Sequence, residues 1–225
     1  MLAWEELATT TAPDGVRLEL RRRGHEYLIR AGGIELMSNQ DESSSRSLGT
    51  LGCAHLPGVK AARVLVGGLG MGYTLRAALD SVPAGGVVEV AELVAAVVEW
   101  NRGLLADLAG RPLEDPRSEL HLGDVRARMR ALPSRYDAIL LDVDNGPSAL
   151  AHKANNALYS SRGLEMAWLA LKPGGVFGVW SISDDHRFTA RLKRQGFETR
   201  AERVHGSRIG RGRFHVIWLA RKPSG

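Results

Sequence analysis

The stretch Val64-Leu-Val-Gly-Gly-Leu-Gly-Met-Gly-Tyr-Thr-Leu-Arg76 decides the fold. Its first three residues read as a short buried strand, and residues 73–81 read as a helix. Glycines join the two. Strand, glycine turn and helix in that order open a parallel sheet covered by helices. Small residues at the carboxyl end of such a strand let backbone amides approach a ligand, and the helix that follows presents unpaired N–H groups. The pattern Gly68-x-Gly70-x-Gly72 lacks the later glycine of a dinucleotide fingerprint and the Gly-Lys-Ser/Thr of a phosphate loop. It suits a nucleoside cofactor that has no pyrophosphate and whose polar tail packs on the loop. Tight strand–helix packing alone is the competing reading of the same glycines.

Working outward, apolar strands alternate with helices. Val87 to Ala91, Glu119 to Leu122, Ala138 to Leu141 and Val176 to Trp180 read as further strands, and residues 197–204 and 214–220 as a terminal pair. Helices are expected over 92–102, 156–171 and 187–195. Upstream, the runs Val16 to Leu20, Tyr27 to Arg30 and Ile34 to Met37 are short and punctuated by glycine, which predicts a small antiparallel hairpin or meander. A helix-like segment runs from Asp41 to about His55. The expectation is an α/β, Rossmann-like chain with a mostly parallel seven-stranded sheet and a small N-terminal β-hairpin region. Residues 1–58 would form that β region and a gate-like helix, and residues 59–225 the nucleoside-binding domain.

Composition narrows the class. At 225 residues with 44% hydrophobic residues the chain is too apolar to be disordered. Its mean hydropathy of −0.15 is that of an ordinary soluble domain. No apolar run reaches the roughly 18 residues of a membrane span. The first residues carry Glu5 and Glu6 and no basic stretch, which argues against a secretory signal. A lone cysteine, Cys53, excludes an internal disulfide and a multi-thiolate zinc site, and a reducing, cytoplasmic setting follows. The histidines show no ligand spacing, so no metal site is expected.

The net charge of +5 and the pI of about 9.7 invite a nucleic-acid reading. Basic residues do cluster at 21–23, 126–135 and 200–213, but no aromatic residues interleave with them. Solvated helix faces are the favoured interpretation, although an anionic substrate stays open. Trp100, Trp168, Trp180 and Trp218 sit in apolar segments and read as core.

Four acidic residues fall at strand ends. Glu92 stands at the tip of the second strand, where a carboxylate can accept hydrogen bonds from ribose hydroxyls. The alternative is an acid that favours the next helix start. Asp124 follows the third strand and could meet an adenine amine, cap a helix, or do both. Asp142 and Asp144 leave the fourth strand at the same sheet end as the glycine loop. Asp142 there could orient an amine nucleophile and take its proton, or offset the desolvation of a sulfonium; the alternative is loop capping.

The order of these signals resembles the class I S-adenosylmethionine-binding fold, and within it the spermidine synthase-like branch. The likeness extends from about Gly15 to Lys222. It rests on the Val64 to Arg76 stretch, Val90-Ala-Glu-Leu-Val94, His121-Leu-Gly-Asp124, Tyr136 to Asp142, Leu158-Tyr159 and Leu171-Lys-Pro-Gly-Gly175. The resemblance implies a glycine floor of Gly68, Gly70 and Gly72, ribose on Glu92, adenine at Asp124 and catalysis at Asp142 with help from Asp144. Three departures matter. Met71 occupies a loop position where the family carries an acid that pairs with the donor's amine. Asn145 replaces a second acid and displaces Asp144. Arginines from Val204 to Arg213 replace a tyrosine- and proline-rich segment. From these departures the expectation is methyl transfer from S-adenosylmethionine to a small amine or hydroxyl acceptor, itself anionic in one version. The alternative is polyamine aminopropyl transfer from decarboxylated S-adenosylmethionine, and a second alternative is a noncatalytic nucleoside- or nucleic-acid-binding module. A homodimer is implied by analogy, and no membrane partner is expected.

Overall fold

The computed structural model describes residues 2–143, 157–207 and 213–224. Asp144, Asn145 and most of the arginine-rich 204–213 segment's centre (208–212) lie outside the described residues. The strands β1 (Glu5–Thr11), β2 (Arg17–Arg23), β3 (Glu26–Ala31) and β4 (Ile34–Ser38) form an antiparallel sheet in that order. Opposed pairs Leu18↔Ala31 and Leu20↔Ile29 put four buried side chains on one face, as period-two alternation requires. β1 went unread in the sequence because it is an edge strand with mixed exposure and no apolar run.

The second sheet holds β5 (Arg63–Gly67), β6 (Val87–Glu92), β7 (Ser118–Leu122), β8 (Tyr136–Leu141), β9 (Leu171–Ser181), β10 (Glu198–His205) and β11 (Phe214–Arg221). Its order is β10-β11-β9-β8-β5-β6-β7. The five strands β5 to β9 are parallel, and β11 runs antiparallel to both β9 and β10. The chain moves outward from β5 through β6 to β7, then returns to β8 on β5's other side. Ligands bind at such a reversal, outside the strands' carboxyl ends. β5 and β8 are buried on both faces, which is why Val64 to Val66 and Ile139 to Leu141 are continuous apolar runs.

Helices α1 (Glu42–Cys53), α2 (Tyr73–Ser81), α3 (Ala95–Arg102), α4 (Val125–Ala131), α5 (Ser161–Ala170) and α6 (His186–Arg194) complete the architecture. α1 is the helix expected from the sequence to be gate-like; its start, at Asp41, Ser44 and Ser45, lines a large cavity, and its body is packed. Its Gly49 lies so near α2 that an added Cβ would stand 2.6 Å from Ala77 Cβ, and a Cβ on Gly52 would overlap Leu140 of β8. The helix is a packed wall of the α/β unit, with small residues where backbones approach.

On the α4 side of the sheet, the buried Glu89 carboxylate gathers Arg63, Arg128 and Arg135 at 2.6, 2.8 and 2.6 Å, and Tyr136 Oη donates to it at 2.9 Å. Burial alone would raise this carboxyl. The three guanidiniums and the phenol outweigh that and hold it near 2. Arg126 pairs with Asp124, Arg22 with Glu5 and Arg23 with Glu26. Much of the first two basic clusters is therefore engaged within the protein rather than arrayed for phosphate.

Candidate active site

A cavity of about 920 Å³ opens where the two sheets meet. Its walls come from the β1–β2 turn, β4, the start of α1 and the carboxyl ends of the parallel strands. The volume lies toward the upper end of small-molecule sites.

The glycine loop forms one margin. Gly68 has φ +89° and lies against Asp142, whose carbonyl a Cβ would strike. Gly70 has φ +52°, and a Cβ there would stand 2.8 Å from Met37 of β4. Left-handed backbone and close approach both demand glycine at these two positions. Asn101, buried on α3, donates from Nδ2 to the Gly70 carbonyl at 2.8 Å and fixes the loop from behind. Gly68 and Gly70 line the cavity.

Gly72 and Met71 do not line it. Gly72 precedes α2 and faces Pro112, Asn101 and Ala109. Met71 is fully buried in the core, and only its amide turns toward β4, donating to Met37 Sδ at 3.2 Å. The expectation that the Met71 side chain meets the donor's tail is therefore corrected. Apolarity at position 71 reflects core packing.

Glu92 closes the other margin, buried at the tip of β6. Its two oxygens accept from Leu69 N–H at 2.9 Å and Val94 N–H at 2.8 Å. The side chain thus ties the glycine loop to the approach of α3. A carboxylate at this strand tip is of the type that accepts hydrogen bonds from hydroxyls. Asp124 caps α4 through Arg126 N–H at 2.8 Å and pairs with the Arg126 guanidinium at 2.6 Å. Burial opposes its ionisation, but Arg126 prevails and holds the carboxyl below its ordinary value. Both residues line the cavity.

Asp142 projects from the end of β8, half-buried, with Thr74 Oγ1 2.5 Å from its Oδ2. Thr74, on the first turn of α2, also reaches the Ser45 carbonyl of α1 at 2.9 Å. Sequence reasoning missed Thr74 and Asn101 as positioning residues. Thr74 sits just past the glycine turn, on the helix start that faces β8, and that placement was the available signal.

Among the described residues six carboxylates line the cavity: Asp14, Glu35, Asp41, Glu92, Asp124 and Asp142. Arg126, already neutralised by Asp124, and Arg213 are the guanidiniums that face them. A basic chain has built an acidic cavity. That runs against the anionic acceptor expected from the arginine-rich segment, of whose described residues Arg213 is the one on the wall.

A seven-stranded sheet with its reversal at β5, a glycine turn after that strand and an acid at the tip of the next defines the class I S-adenosylmethionine-type transferase fold. Residues 49–186 match the family model described as the spermine/spermidine synthase domain, and the chain belongs to that family. It is 35% identical over 165 residues to polyamine aminopropyltransferase 2 of Pseudomonas aeruginosa, covering 69% of this chain and 44% of that protein. It is 31% identical over 150 residues to spermine synthase of Arabidopsis thaliana, covering 64% and 38%. The chain thus spans less than half the length of these curated relatives. In fold it is similar to a spermidine synthase solved with the transition-state analogue AdoDATO, at TM-score 0.77, 21% identity and coverage of 98% of this chain and 74% of that one. The spermidine synthase of Thermotoga maritima is similar at TM-score 0.74, 19% identity and the same coverages. These relatives overturn the preference for methyl transfer. Of the departures behind it, Met71 lies outside the cavity wall, and Asp144, Asn145 and residues 208–212 lie outside the described residues. No helix among the described residues is long and apolar enough to cross a membrane.

Proposed function

We propose that the chain transfers an aminopropyl group from decarboxylated S-adenosylmethionine to a polyamine-type amine. The observation that carries this reading is the acidic cavity: both donor and acceptor are cations, and carboxylates in a partly desolvated site favour them over an anion. Family membership and the names of the relatives support it. The residues present fit the nucleoside: Gly68 and Gly70 give it a floor, Glu92 faces ribose, and Asp124 stands at the adenine end. When bound, the donor supplies an electrophilic methylene next to a sulfonium sulfur. Asp142, steadied by Thr74, would accept a hydrogen bond from the acceptor's amine, hold its lone pair in line and take the proton lost as the N–C bond forms and the methylene's C–S bond breaks, the sulfur leaving as the neutral thioether 5′-methylthioadenosine.

The direct test is mass analysis of 1,4-diaminobutane incubated with protein and decarboxylated donor. The expected product carries one added aminopropyl group. A methylated amine formed from S-adenosylmethionine instead would contradict the reading. Glu92→Gln gives a second check. The amide keeps one acceptor but turns an NH2 toward a backbone N–H, so nucleoside affinity falls about tenfold or more in calorimetry. A 2′-deoxy nucleoside loses affinity on the native protein and little more on the variant, because the two changes remove the same bond. Equal losses on both would remove ribose from Glu92.

A further inference from the structure

Met37 stands where the antiparallel sheet meets the glycine loop, and the transfer chemistry above gives it no part. β4 is an edge strand, and its pairing with β3 steps from Ile29↔Met37 to Arg30↔Glu35, which leaves Leu36 without an opposite residue. Such a bulge re-aims the side chains beside it. Met37 lines the cavity half-buried, and its Sδ accepts the Met71 N–H at 3.2 Å. Its Sδ and Cε both stand 2.8 Å from where a Cβ on Gly70 would lie. On the other side of the loop, Asn101 Nδ2 donates to the Gly70 carbonyl at 2.8 Å. That carbonyl and the Met71 N–H belong to one planar peptide group. The group is therefore pinned at both poles, by Asn101 from the core and by Met37 from the cavity wall.

Building on the proposed aminopropyl transfer, in which Gly68 and Gly70 carry the donor, we infer that Met37 is a positioning residue for the Gly70–Met71 peptide and a site of reversible oxidation that weakens donor binding. A thioether is a weak acceptor, and it is also the group that peroxide converts to a sulfoxide. In that step a sulfur lone pair attacks one oxygen of hydrogen peroxide. The S–O bond forms as the O–O bond breaks, sulfur gives up two electrons, and the second oxygen leaves as water with both peroxide protons. The new oxygen competes with sulfur for the Met71 N–H and needs about 2.9 Å of its own to that nitrogen. With sulfur already at 3.2 Å and Gly70 against the methyl end, the side chain withdraws and the peptide loses one of its two holds.

The other sulfurs among the described residues are placed differently. Met71 and Met129 are buried in the two halves of the core. Cys53 is buried as well, and burial pushes its thiol up to about 12, so it offers peroxide no thiolate. Met166 is half-buried on α5, packed against the core and away from the cavity wall, which makes it the internal control.

The test treats the native protein, Met37→Leu and Met37→Gln with hydrogen peroxide. Peptide mass analysis locates the oxygen, calorimetry gives the affinity for 5′-methylthioadenosine, and hydrogen exchange follows the Met71 amide. In the native protein Met37 gains one oxygen, affinity falls about tenfold and the Met71 amide exchanges faster. Methionine sulfoxide reductase reverses all three. The KM of the decarboxylated donor rises in step, while kcat and the amine's KM stay nearly unmoved. Met37→Leu keeps the volume but loses the acceptor, so it binds about threefold to tenfold more weakly before treatment, and peroxide adds nothing. Met37→Gln, whose amide oxygen accepts the N–H, keeps near-native affinity and withstands peroxide. Native affinity with Met37 oxidised, or an equal peroxide loss in Met37→Gln, would overturn the inference. So would oxygen uptake at Met166 while Met37 stays reduced. Hydrogen exchange separates this failure from that of the parent reading. A protein whose Met71 exchange follows Met37 but which binds no nucleoside sinks the aminopropyl assignment, whereas nucleoside binding indifferent to the state of Met37 sinks only this inference.

Discussion

Replacing Asp142 with asparagine lowers kcat by about 10²- to 10⁴-fold, the range expected when a positioned general base is removed. The substitution is nearly isosteric, so the β8 terminus, the amide bond from Asp142 N–H to the Gly67 carbonyl and the contact with Gly68 persist. What is lost is a charged acceptor 2.5 Å from the Thr74 hydroxyl. The amide can still meet the acceptor's amine, but it cannot take a proton. Single-turnover rates with saturating donor and acceptor isolate that step, and nucleoside affinity measured in parallel stays close to native. A variant that turns over at the native rate would remove Asp142 from the chemistry. Thr74→Val gives a smaller loss in the same direction, because the carboxylate survives without its guide.

The second large effect is on stability, far from the cavity. Glu89→Leu removes the one anion on which three guanidiniums and the Tyr136 hydroxyl converge. Removing one partner of a buried ionic cluster costs about 3–5 kcal/mol. The arginines are 22% to 30% exposed and can turn partly to water, so the lower end of that range is expected. Urea unfolding measures it as a lower midpoint at unchanged slope. The pH dependence has a definite sign. With the folded carboxyl near 2 against an ordinary 4.5, the stabilisation is fully present above about pH 5 and is lost as pH falls through the window between those values. The variant lacks that loss. An unchanged midpoint would show that the cluster contributes nothing net.

How much of this was legible beforehand follows from where each signal resides. The strand–glycine–helix unit at Val64 to Arg76 was readable because β5 is buried on both faces and its turn needs left-handed backbone. That Glu92, Asp124 and Asp142 share one edge of the sheet was readable because parallel strands deliver their ends there. Met71 was misread because sequence position does not say which way a loop side chain points, and here packing drew it inward. How tightly the body of α1 is packed was hidden for a similar reason. Gly49 and Gly52 are contact points with α2 and β8, and the spacing of Leu48, Leu51 and Ala54 does not reveal that. The acidity of the cavity was illegible because its six carboxylates come from six separate places along the chain, while the sum over the chain is basic. Net charge averages over surfaces that face different ways.

The decisive measurement sets two nucleosides against each other. Decarboxylated S-adenosylmethionine and its carboxylated parent differ by one anionic group, and the cavity answers that group with carboxylates. Calorimetric titration of the purified protein should show the decarboxylated form binding at least about tenfold tighter, equivalent to one repulsive charge contact in a partly desolvated site. Equal affinity, or tighter binding of the parent, would contradict the account.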